Sequence, residues 1–144
     1  MSHHNFPEPG TPADLSFYYN YNWFTPTVVL GEKDGFAVTN ATCPITLSKG
    51  QDPVTQKIGD IMVPEFVSAN NYNDTFIVYF SKEAGGGTIT FVDNQALDTD
   101  LWGPNLEQVF EITGGSGNYM FSNGFVVVKT DDKLGREIFV YFFK

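Results

Sequence analysis

The glycine-rich stretch near the C-terminus limits most strongly what this chain can fold into. Glycines stand at positions 114, 115, 117 and 124, between two apolar runs of the kind that form β-strands. Glycine tolerates positive φ and close backbone contact, so such a stretch either cradles a phosphate before a helix or connects two strands. The turn contains no lysine, and Tyr119 and the β-branched run 126–128 follow without helical periodicity. The stretch therefore predicts a tight connection between two strands of an all-β fold, with Gly124 as a bulge or kink in the second strand.

The overall composition agrees with an all-β fold. Aromatic residues make up 16% of the 144 residues, and the chain contains 14 glycines and 8 prolines. Aromatic side chains favour strands, and a chain of this length forms one domain with a real core. The formal net charge is −9, from 17 acidic and 8 basic residues. A surface of that sign disfavours nucleic-acid and membrane-surface roles, and no apolar run is long enough to insert into a membrane as a helix.

Strand-like segments recur along the chain at the spacing of hairpins, without an internal repeat or a linker. They span residues 15–24, 27–30, 36–47 (interrupted near Pro44), 58–69, 75–81, 88–92, 106–113, 124–130 and 136–143. About eight antiparallel strands in this arrangement close most simply into a β-barrel, whose interior holds side chains or one small ligand. We therefore expect a flexible N-terminal tail over residues 1–14 and a single β-barrel domain over residues 15–144.

Residues 112–119 (ITGGSGNY), followed by Gly124, carry a family resemblance. They resemble the signature shared by the allene oxide cyclase and dirigent barrels, in which a strand enters a glycine turn, an aromatic residue follows, and a further glycine comes later. Small bacterial spirotetronate-type cyclases of the same barrel type are similar over a shorter version of the motif. The supporting pattern runs over residues 58–144. The resemblance implies an antiparallel barrel that acts on an unsaturated small molecule, as a trimer in the plant families and a dimer in the bacterial ones.

Asn20 and Asn22 are the first candidate catalytic residues. They stand two positions apart in an otherwise aromatic segment, and the period of a strand would place both on one face. That face either lies in solvent or enters a wet pocket, where the two amides would hold a water or a substrate oxygen. Allene oxide cyclases have a carboxylate and an asparagine on the first strand, with a serine–proline pair just after it. Here Asn20, Asn22, Thr25 and Pro26 stand in a similar order, without the carboxylate.

Tyr119 and Glu65 complete the set of candidate catalytic residues. A tyrosine phenol in a pocket would donate a hydrogen bond to a substrate carbonyl, whereas the alternative for Tyr119, as for Tyr79, is packing in the core or at an interface. An inward Glu65 carboxylate would have a raised pKa and act as an acid or base, and an outward one would be solvated. The side chains expected to bind substrate are Tyr18, Phe24, Tyr79, Trp102, Met120 and Phe121.

Histidine, cysteine and metal chemistry are disfavoured. Both histidines, His3 and His4, lie at the N-terminal end, and the single cysteine, Cys43, precedes a proline in a strand-like run. A lone cysteine without a nearby base is expected to be a small packing residue rather than a nucleophile, and it forms no intrachain disulfide. No nucleotide-binding motif or set of metal ligands stands out, so we expect neither a cofactor nor a metal ion.

These observations predict a cofactor-independent cyclase or isomerase of secondary metabolism. It would bind a hydrophobic, unsaturated small molecule inside the barrel and promote stereoselective ring closure, for example of the Diels–Alder type. The alternatives are dirigent-like stereocontrol of phenolic coupling and a non-catalytic carrier of a hydrophobic ligand. Because the runs 126–128 and 138–143 are apolar at successive positions, both sheet faces are expected to be buried, which predicts a homodimer or homotrimer. The N-terminus lacks signal-peptide features, so we expect a cytoplasmic location, or secretion if a signal has been removed.

Overall fold

The computed structural model describes residues 10–23, 28–33, 36–67, 75–93, 107–131 and 134–143. Within these ranges the chain forms strands, turns and short 3-10 segments, and no helix there is long and apolar enough to cross a membrane. The nine strands of the described part are β1 (Leu15–Asn20), β2 (Val28–Lys33), β3 (Phe36–Ile45), β4 (Gly59–Val67), β5 (Thr75–Phe80), β6 (Thr88–Asp93), β7 (Glu107–Ser116), β8 (Gly124–Asp131) and β9 (Gly135–Phe142). They follow the predicted segments closely, because aromatic and β-branched runs separated by turn residues favour strands.

All of these strands belong to one antiparallel sheet, in the order β1-β9-β8-β7-β6-β5-β4-β3-β2. The sheet closes on itself where Tyr18 of β1 meets Thr46, the residue just after β3. The Tyr18 amide donates to the Thr46 carbonyl at 2.8 Å, and the Thr46 amide donates back at 2.9 Å. β2 pairs with residues 36–40 at the start of β3, whereas β1 meets the chain just after the end of β3. β1 and β2 therefore lie one after the other along the same edge of β3, and the nine strands fill eight positions around the barrel. The predicted antiparallel β-barrel of about eight strands is confirmed.

Apolar side chains fill the middle of the barrel. They come from alternate strand positions, as a period of two requires, and form one cluster of buried residues: Phe17, Tyr19, Cys43, Ile45, Ile61, Val78, Ile89, Phe91, Phe110, Ile112, Val126, Val128, Ile138 and Val140. Burying one such aliphatic or aromatic side chain stabilises the fold by about 1.5–3 kcal/mol. In the described part of the chain, the middle of the barrel is therefore a packed core rather than an open binding chamber.

Part of the outer face of the barrel is also buried. Val109, Phe125 and Val127 occupy positions that alternate with the core cluster, yet they are 0%, 5% and 7% exposed. Phe143 packs edge to face on Phe125, with ring centroids 5.1 Å apart. The expected burial of both faces is confirmed for the run 126–128 and is achieved there within a single chain, whereas Phe139 and Tyr141 on the outer face of the run 138–143 are only half-buried. The burial of the run 126–128 therefore does not require a second copy, and the homodimer or homotrimer stays a prediction.

Several strand boundaries differ from the sequence-based expectation, and β2 and β7 each extend three residues beyond their predicted ends. β1 ends at Asn20, because Asn20 Oδ1 accepts a hydrogen bond from the Asn22 backbone amide at 2.9 Å and a 3-10 turn begins there. β3 runs without interruption through Pro44, which pairs in register with Asp60 of β4. On the other side of β3, the described pairing covers residues 36–40 with β2 and the single bridge to β1. Pro44 thus lies on an edge segment, where its missing amide hydrogen removes no ladder hydrogen bond.

Most of the expected N-terminal tail, residues 1–9, lies outside the described residues. Asp14, at the end of that tail, is hydrogen-bonded to β9. Its amide donates to the Val140 carbonyl at 2.8 Å, and its carboxylate accepts a hydrogen bond from the Phe142 amide at 2.8 Å. The residue that leads into β1 is therefore part of the barrel.

Candidate functional site

The glycine-rich stretch connects β7 and β8 at one end of the barrel. β7 continues to Ser116, a 3-10 turn follows over Gly117–Tyr119, and β8 begins at Gly124. The predicted strand-to-strand connection is confirmed, and no phosphate-binding helix follows it.

The β-bulge lies in β7 rather than at Gly124, although Gly124 itself has a φ of 151°, a conformation that residues with a side chain rarely adopt. Thr90 and Phe91 of β6 pair with Gly114 and Ile112, so Thr113 is an extra residue in β7. β8, in contrast, pairs with β9 in unbroken register over its whole length. A single extra residue bends the strand and increases its twist, which is typical of a β-bulge near the rim of a barrel.

A second glycine turn, between β5 and β6, packs against the β7–β8 connection. Gly87 has a φ of 84°, and a Cβ there would lie 2.7 Å from the Ser116 carbonyl oxygen and 3.1 Å from the Tyr119 ring. Both the conformation and the close contact therefore favour glycine. The Asn118 side-chain amide donates to the Gly85 carbonyl at 3.2 Å, which joins the two turns. Together the turns position Tyr119.

Tyr119 belongs to a row of aromatic rings at this end of the barrel. Its ring centroid lies 5.1 Å from that of Phe80 and 6.1 Å from that of Phe142. Phe17 of β1 contacts Phe80 edge to face at 5.9 Å. Phe17 is part of the core cluster, and the other three rings pack against it. The row thus extends the core to the end of the barrel.

An open cavity of about 410 Å³ lies beside this aromatic row. Its walls come from β1, the β3–β4 connection, the β5–β6 turn and the β7–β8 connection. The residues that line it are Leu15, Ser16, Phe17, Leu47, Lys57, Ile58, Phe80, Ser81, Glu83, Ala84 and Tyr119. We call it the mouth cavity. A mostly apolar site of this volume is suited to a small-molecule ligand.

The β3–β4 connection forms one wall of the mouth cavity through Leu47, Lys57 and Ile58. The Ile58 amide donates to the Ile45 carbonyl at 2.9 Å, and the Ile58 carbonyl accepts a hydrogen bond from the Ser81 amide at 2.8 Å. These bonds tie the wall to β3 and to the β5–β6 turn. The backbone beside Lys57 is therefore fixed at the rim of the cavity.

The polar groups of the mouth cavity are hydroxyls and two opposite charges. Ser16, Ser81 and Tyr119 supply the hydroxyls, and Lys57 and Glu83 supply the charges. A phenol donates a hydrogen bond readily to a carbonyl oxygen. Among the residues that the structure describes, no group of three or more His, Cys, Asp or Glu side chains is placed to hold a metal ion.

Asn20 and Asn22 lie at the opposite end of β1 from the mouth cavity. Because Phe17 and Tyr19 belong to the core cluster, alternation places Tyr18 and Asn20 on the outer face. The Asn20 side-chain amide donates to the Tyr18 hydroxyl at 3.2 Å, and Asn22 is exposed in the turn after the strand. The structure does not support an inward-facing pair: Asn20 lies half-buried on the outer face, and Asn22 lies in the turn rather than on a strand face shared with Asn20.

Tyr119 is the predicted catalytic residue that the structure places in the cavity lining. Tyr18, expected to bind substrate, is buried on the outer face against Trp23, with ring centroids 5.5 Å apart. Tyr79 is exposed, on the face of β5 opposite the buried Val78. Met120 and Phe121 are 55% and 91% exposed and do not line the cavity, because the chain turns outward after Tyr119.

Three other predicted site residues are not described at the level of their side chains. Glu65 lies in β4 and pairs in register with Thr39 of β3, and its side chain lies outside the described part. Phe24 and Trp102 lie outside the described residues altogether. Their roles stay predictions.

Cys43 is a core residue and is 1% exposed. Burial, with a smaller contribution from the Asp60 carboxylate, raises the pKa of its thiol to about 12. A thiol that stays protonated at neutral pH is a poor nucleophile. The prediction that Cys43 is a small packing residue is confirmed.

Most of the cavity lining could not be read from the sequence. Residues 17–19 are three successive aromatic residues, and all three are buried. The alternation of apolar and polar residues that would show which side of the strand faces the core is missing, so the sequence does not indicate that Phe17 lines the cavity. Lys57 stands in a polar connection, and only long-range hydrogen bonds beside it bring it to the rim. For Phe80 a usable signal exists, since it ends a strand that is followed within five residues by the glycines 85–87.

Comparison with known proteins agrees with the fold. The solved structure of a pterocarpan synthase dirigent protein matches this chain with a TM-score of 0.59 and 18% sequence identity, over 97% of this chain and 99% of the other. No family model matches the chain, and no curated protein matches it significantly. At this identity the likeness shows the fold alone, a dirigent-like β-barrel. It does not single out the allene oxide cyclases or the bacterial cyclases.

Proposed function

We propose that this protein binds one hydrophobic, unsaturated small molecule in the mouth cavity and steers it through a stereoselective ring closure. The observation that carries the proposal is the placement of Phe17, Phe80 and Tyr119 around a cavity of about 410 Å³. Aromatic rings offer flat apolar faces to a conjugated ligand, and apolar walls with a few hydroxyls are typical of small-molecule sites. The proposed site lies at the end of the barrel, because its middle is packed.

The reaction that suits this site is a redox-neutral isomerisation. In an intramolecular Diels–Alder closure, a diene and an alkene of one molecule form two carbon–carbon σ bonds from π bonds, and no atom or electron leaves. Holding the ligand folded with its reacting carbons in contact supplies much of the acceleration. The Tyr119 hydroxyl would donate a hydrogen bond to a carbonyl conjugated with the alkene, which stabilises charge that develops in the transition state.

Dirigent-like stereocontrol is the second candidate function. One solved structure that matches this chain is that of a pterocarpan synthase dirigent protein, and its fold is shared here. In this alternative the aromatic row holds phenolic radicals in one orientation while a separate oxidant removes the electrons. A third candidate is a non-catalytic carrier, in which the mostly apolar walls of the mouth cavity would hold a hydrophobic ligand without changing it. The three functions share one ligand site and differ in the fate of the ligand.

Turnover by wild type and by Tyr119→Phe separates these functions. The variant keeps the ring on Phe80 and loses only the hydroxyl, and Tyr79→Phe, on the exposed face of β5, is the matched control. With a linear polyene that ends in a conjugated carbonyl, a cyclase is expected to give one stereoisomer, about 10–100-fold more slowly in Tyr119→Phe than in wild type or the control.

Two other results would assign a different function. Binding of the polyene without any product from wild type would refute the cyclase and indicate a carrier. Optically active dimers from a phenol and an added one-electron oxidant, formed only when the protein is present, would instead indicate dirigent-like stereocontrol.

A further inference from the structure

Phe121 occupies a backbone position that suits glycine rather than a large side chain. Met120 has φ −59° and ψ 135°, and Phe121 has a φ of 65°. The Ser122 amide donates a hydrogen bond to the Tyr119 carbonyl at 3.1 Å. These features are those of a type II β-turn over residues 119–122, whose third residue needs a positive φ and is ordinarily glycine or asparagine. A phenylalanine in this conformation is strained, because its Cβ comes close to the following carbonyl oxygen.

The turn presents two apolar side chains to the outside. Met120 is 55% exposed and Phe121 is 91% exposed, and we call these two residues the turn tip. The backbone is held on either side of it. The Met120 amide donates to the Gly117 carbonyl at 3.2 Å, and the Asn123 carbonyl accepts a hydrogen bond at 2.9 Å from the amide of Phe143. Packing within the chain does not account for a strained backbone that leaves a large ring in water, and strained positions of this kind cluster at functional sites.

The turn tip lies directly beside the mouth cavity. Tyr119, the first residue of the turn, lines the cavity. Consecutive Cα atoms are about 3.8 Å apart, so the Phe121 Cα lies within about 8 Å of the Tyr119 Cα. A sphere with the cavity's volume of about 410 Å³ has a diameter of about 9 Å. Because the cavity is open, an extended ligand longer than this emerges from the mouth, on the side of the barrel where the turn tip stands.

The size of the turn tip favours a small molecule over a macromolecule as its partner. A phenylalanine side chain offers about 150–250 Å² of contact surface, whereas a stable protein interface buries about 800 Å² on each partner. Two side chains are therefore too few to hold a second copy of the chain. The net charge of −9 also makes two copies, or the chain and an anionic membrane, repel each other. The projecting end of a ligand that the cavity already holds needs only a contact of this small size.

We propose that the turn tip is an outer subsite of the mouth cavity, where Met120 and Phe121 contact the apolar end of a ligand that is too long for the cavity. This inference rests on the proposed function and adds a determinant of ligand length. The hydrogen-bonded turn keeps the Phe121 ring outside the cavity, so the ring acts only on ligands that emerge from it. Short ligands that lie entirely against Phe80 and Tyr119 gain nothing from the turn tip.

Two uncharged ligands with the same ring and different chain lengths test the proposal. The short side chain of β-ionone fits the width of the cavity, whereas the conjugated chain of retinol exceeds it. Phe121→Asn is expected to weaken retinol binding about 3–10-fold in equilibrium dialysis, the loss of one aromatic contact, and to leave β-ionone within about twofold. Phe121→Tyr keeps the ring and is expected to retain retinol. Leu134→Asn, which removes a 39% exposed apolar side chain from the β8–β9 turn at the other end of the barrel, is the matched control and is expected to change neither affinity.

The same variant tests the strain at Phe121. Asparagine tolerates a positive φ, so Phe121→Asn is expected to raise the midpoint of urea unfolding by about 0.3–0.5 M while it weakens retinol binding. A variant that is more stable and yet binds the long ligand less well has lost a contact with the ligand, not part of the fold. A lower midpoint would show that Phe121 supports the fold, and it would overturn the inference.

Three further outcomes overturn separate statements. If Phe121→Asn weakens both ligands equally, or neither, the outer subsite is wrong while the proposed ligand site stands. If neither ligand binds wild type, the proposed site itself fails, and the inference fails with it. If wild type elutes as a dimer in size-exclusion chromatography and Phe121→Asn elutes as a monomer, a second copy covers the turn tip and the inference is wrong.

Discussion

Replacing Gly87 with alanine is expected to have two effects: it lowers the free energy of unfolding of the barrel, and it displaces Tyr119 in the wall of the mouth cavity. Gly87 has a φ of 84°, in the left-handed region, where an L residue costs about 1–2 kcal/mol. The new Cβ would also lie 2.7 Å from the Ser116 carbonyl oxygen and 3.1 Å from the Tyr119 ring. Relieving that contact requires the β7–β8 connection to move, at a further cost of about 1–2 kcal/mol. The free energy of unfolding is therefore expected to fall by about 2–4 kcal/mol.

Gly86→Ala is a matched control for the conformational part of this cost. Gly86 has a φ of 68°, also in the left-handed region, but a Cβ at this position meets nothing within 4 Å. Its replacement is expected to lower the free energy of unfolding by about 1–2 kcal/mol and to leave Tyr119 in place.

Urea-induced unfolding measures the first effect, and binding of N-phenyl-1-naphthylamine, a neutral fluorescent probe of apolar sites, measures the second. Gly87→Ala is expected to be about 1–2 kcal/mol less stable than Gly86→Ala and to bind the neutral probe more weakly, because the ring of Tyr119 is displaced. Equal stability and equal probe binding in the two variants would contradict the view that the interlocked glycine turns position Tyr119.

The remaining predictions concern the core, the aromatic row and a surface ion pair. The pKa of the Cys43 thiol is about 12 in the folded chain against 9.0 ordinarily, so its contribution to stability is complete below pH 9 and is lost as the pH rises toward 12. Between pH 9 and 10 wild type is expected to lose about 1 kcal/mol more stability in urea than Cys43→Ala does, and equal losses would show that the thiol ionises in the folded state. Phe80→Ala removes a half-buried ring of the aromatic row and is expected to lower the free energy of unfolding by about 2–4 kcal/mol and to abolish binding of the neutral probe; unchanged binding with native circular dichroism would place the probe elsewhere. Lys49→Ala removes an ion pair of 2.8 Å with Asp131, but since the Lys49 side chain is 58% exposed the expected loss is below about 1 kcal/mol, and a loss above about 2 kcal/mol in urea unfolding would contradict this.

The positions of the strands were predictable because local composition decides them. β8 and β9 are apolar, β-branched or aromatic runs, and each begins at a glycine. Such runs favour strands wherever they lie in an antiparallel sheet, and hairpin spacing then favours a meander that closes into a barrel. The glycine-rich stretch likewise predicted its own role, since its glycines are needed locally for a tight connection.

The site was less predictable because its residues are brought together by register and by long-range contacts. The aromatic run 17–19 is buried on both faces, so no periodicity shows that Phe17 enters the cavity. Asn22 leaves the strand face predicted for it because the Asn20 side chain begins a turn there. Phe121 has a φ of 65° and is 91% exposed, a local geometry that the motif does not reveal. Lys57 reaches the rim through hydrogen bonds of its neighbour to a distant turn.

A crystal structure of the protein soaked with a linear polyene that ends in a conjugated carbonyl tests the central claim most directly. The account predicts ligand density in the mouth cavity, with the unsaturated chain in contact with Phe80 and the carbonyl oxygen within hydrogen-bond distance of the Tyr119 hydroxyl. Ligand bound only at the opposite end of the barrel, near Asn20, would contradict the account.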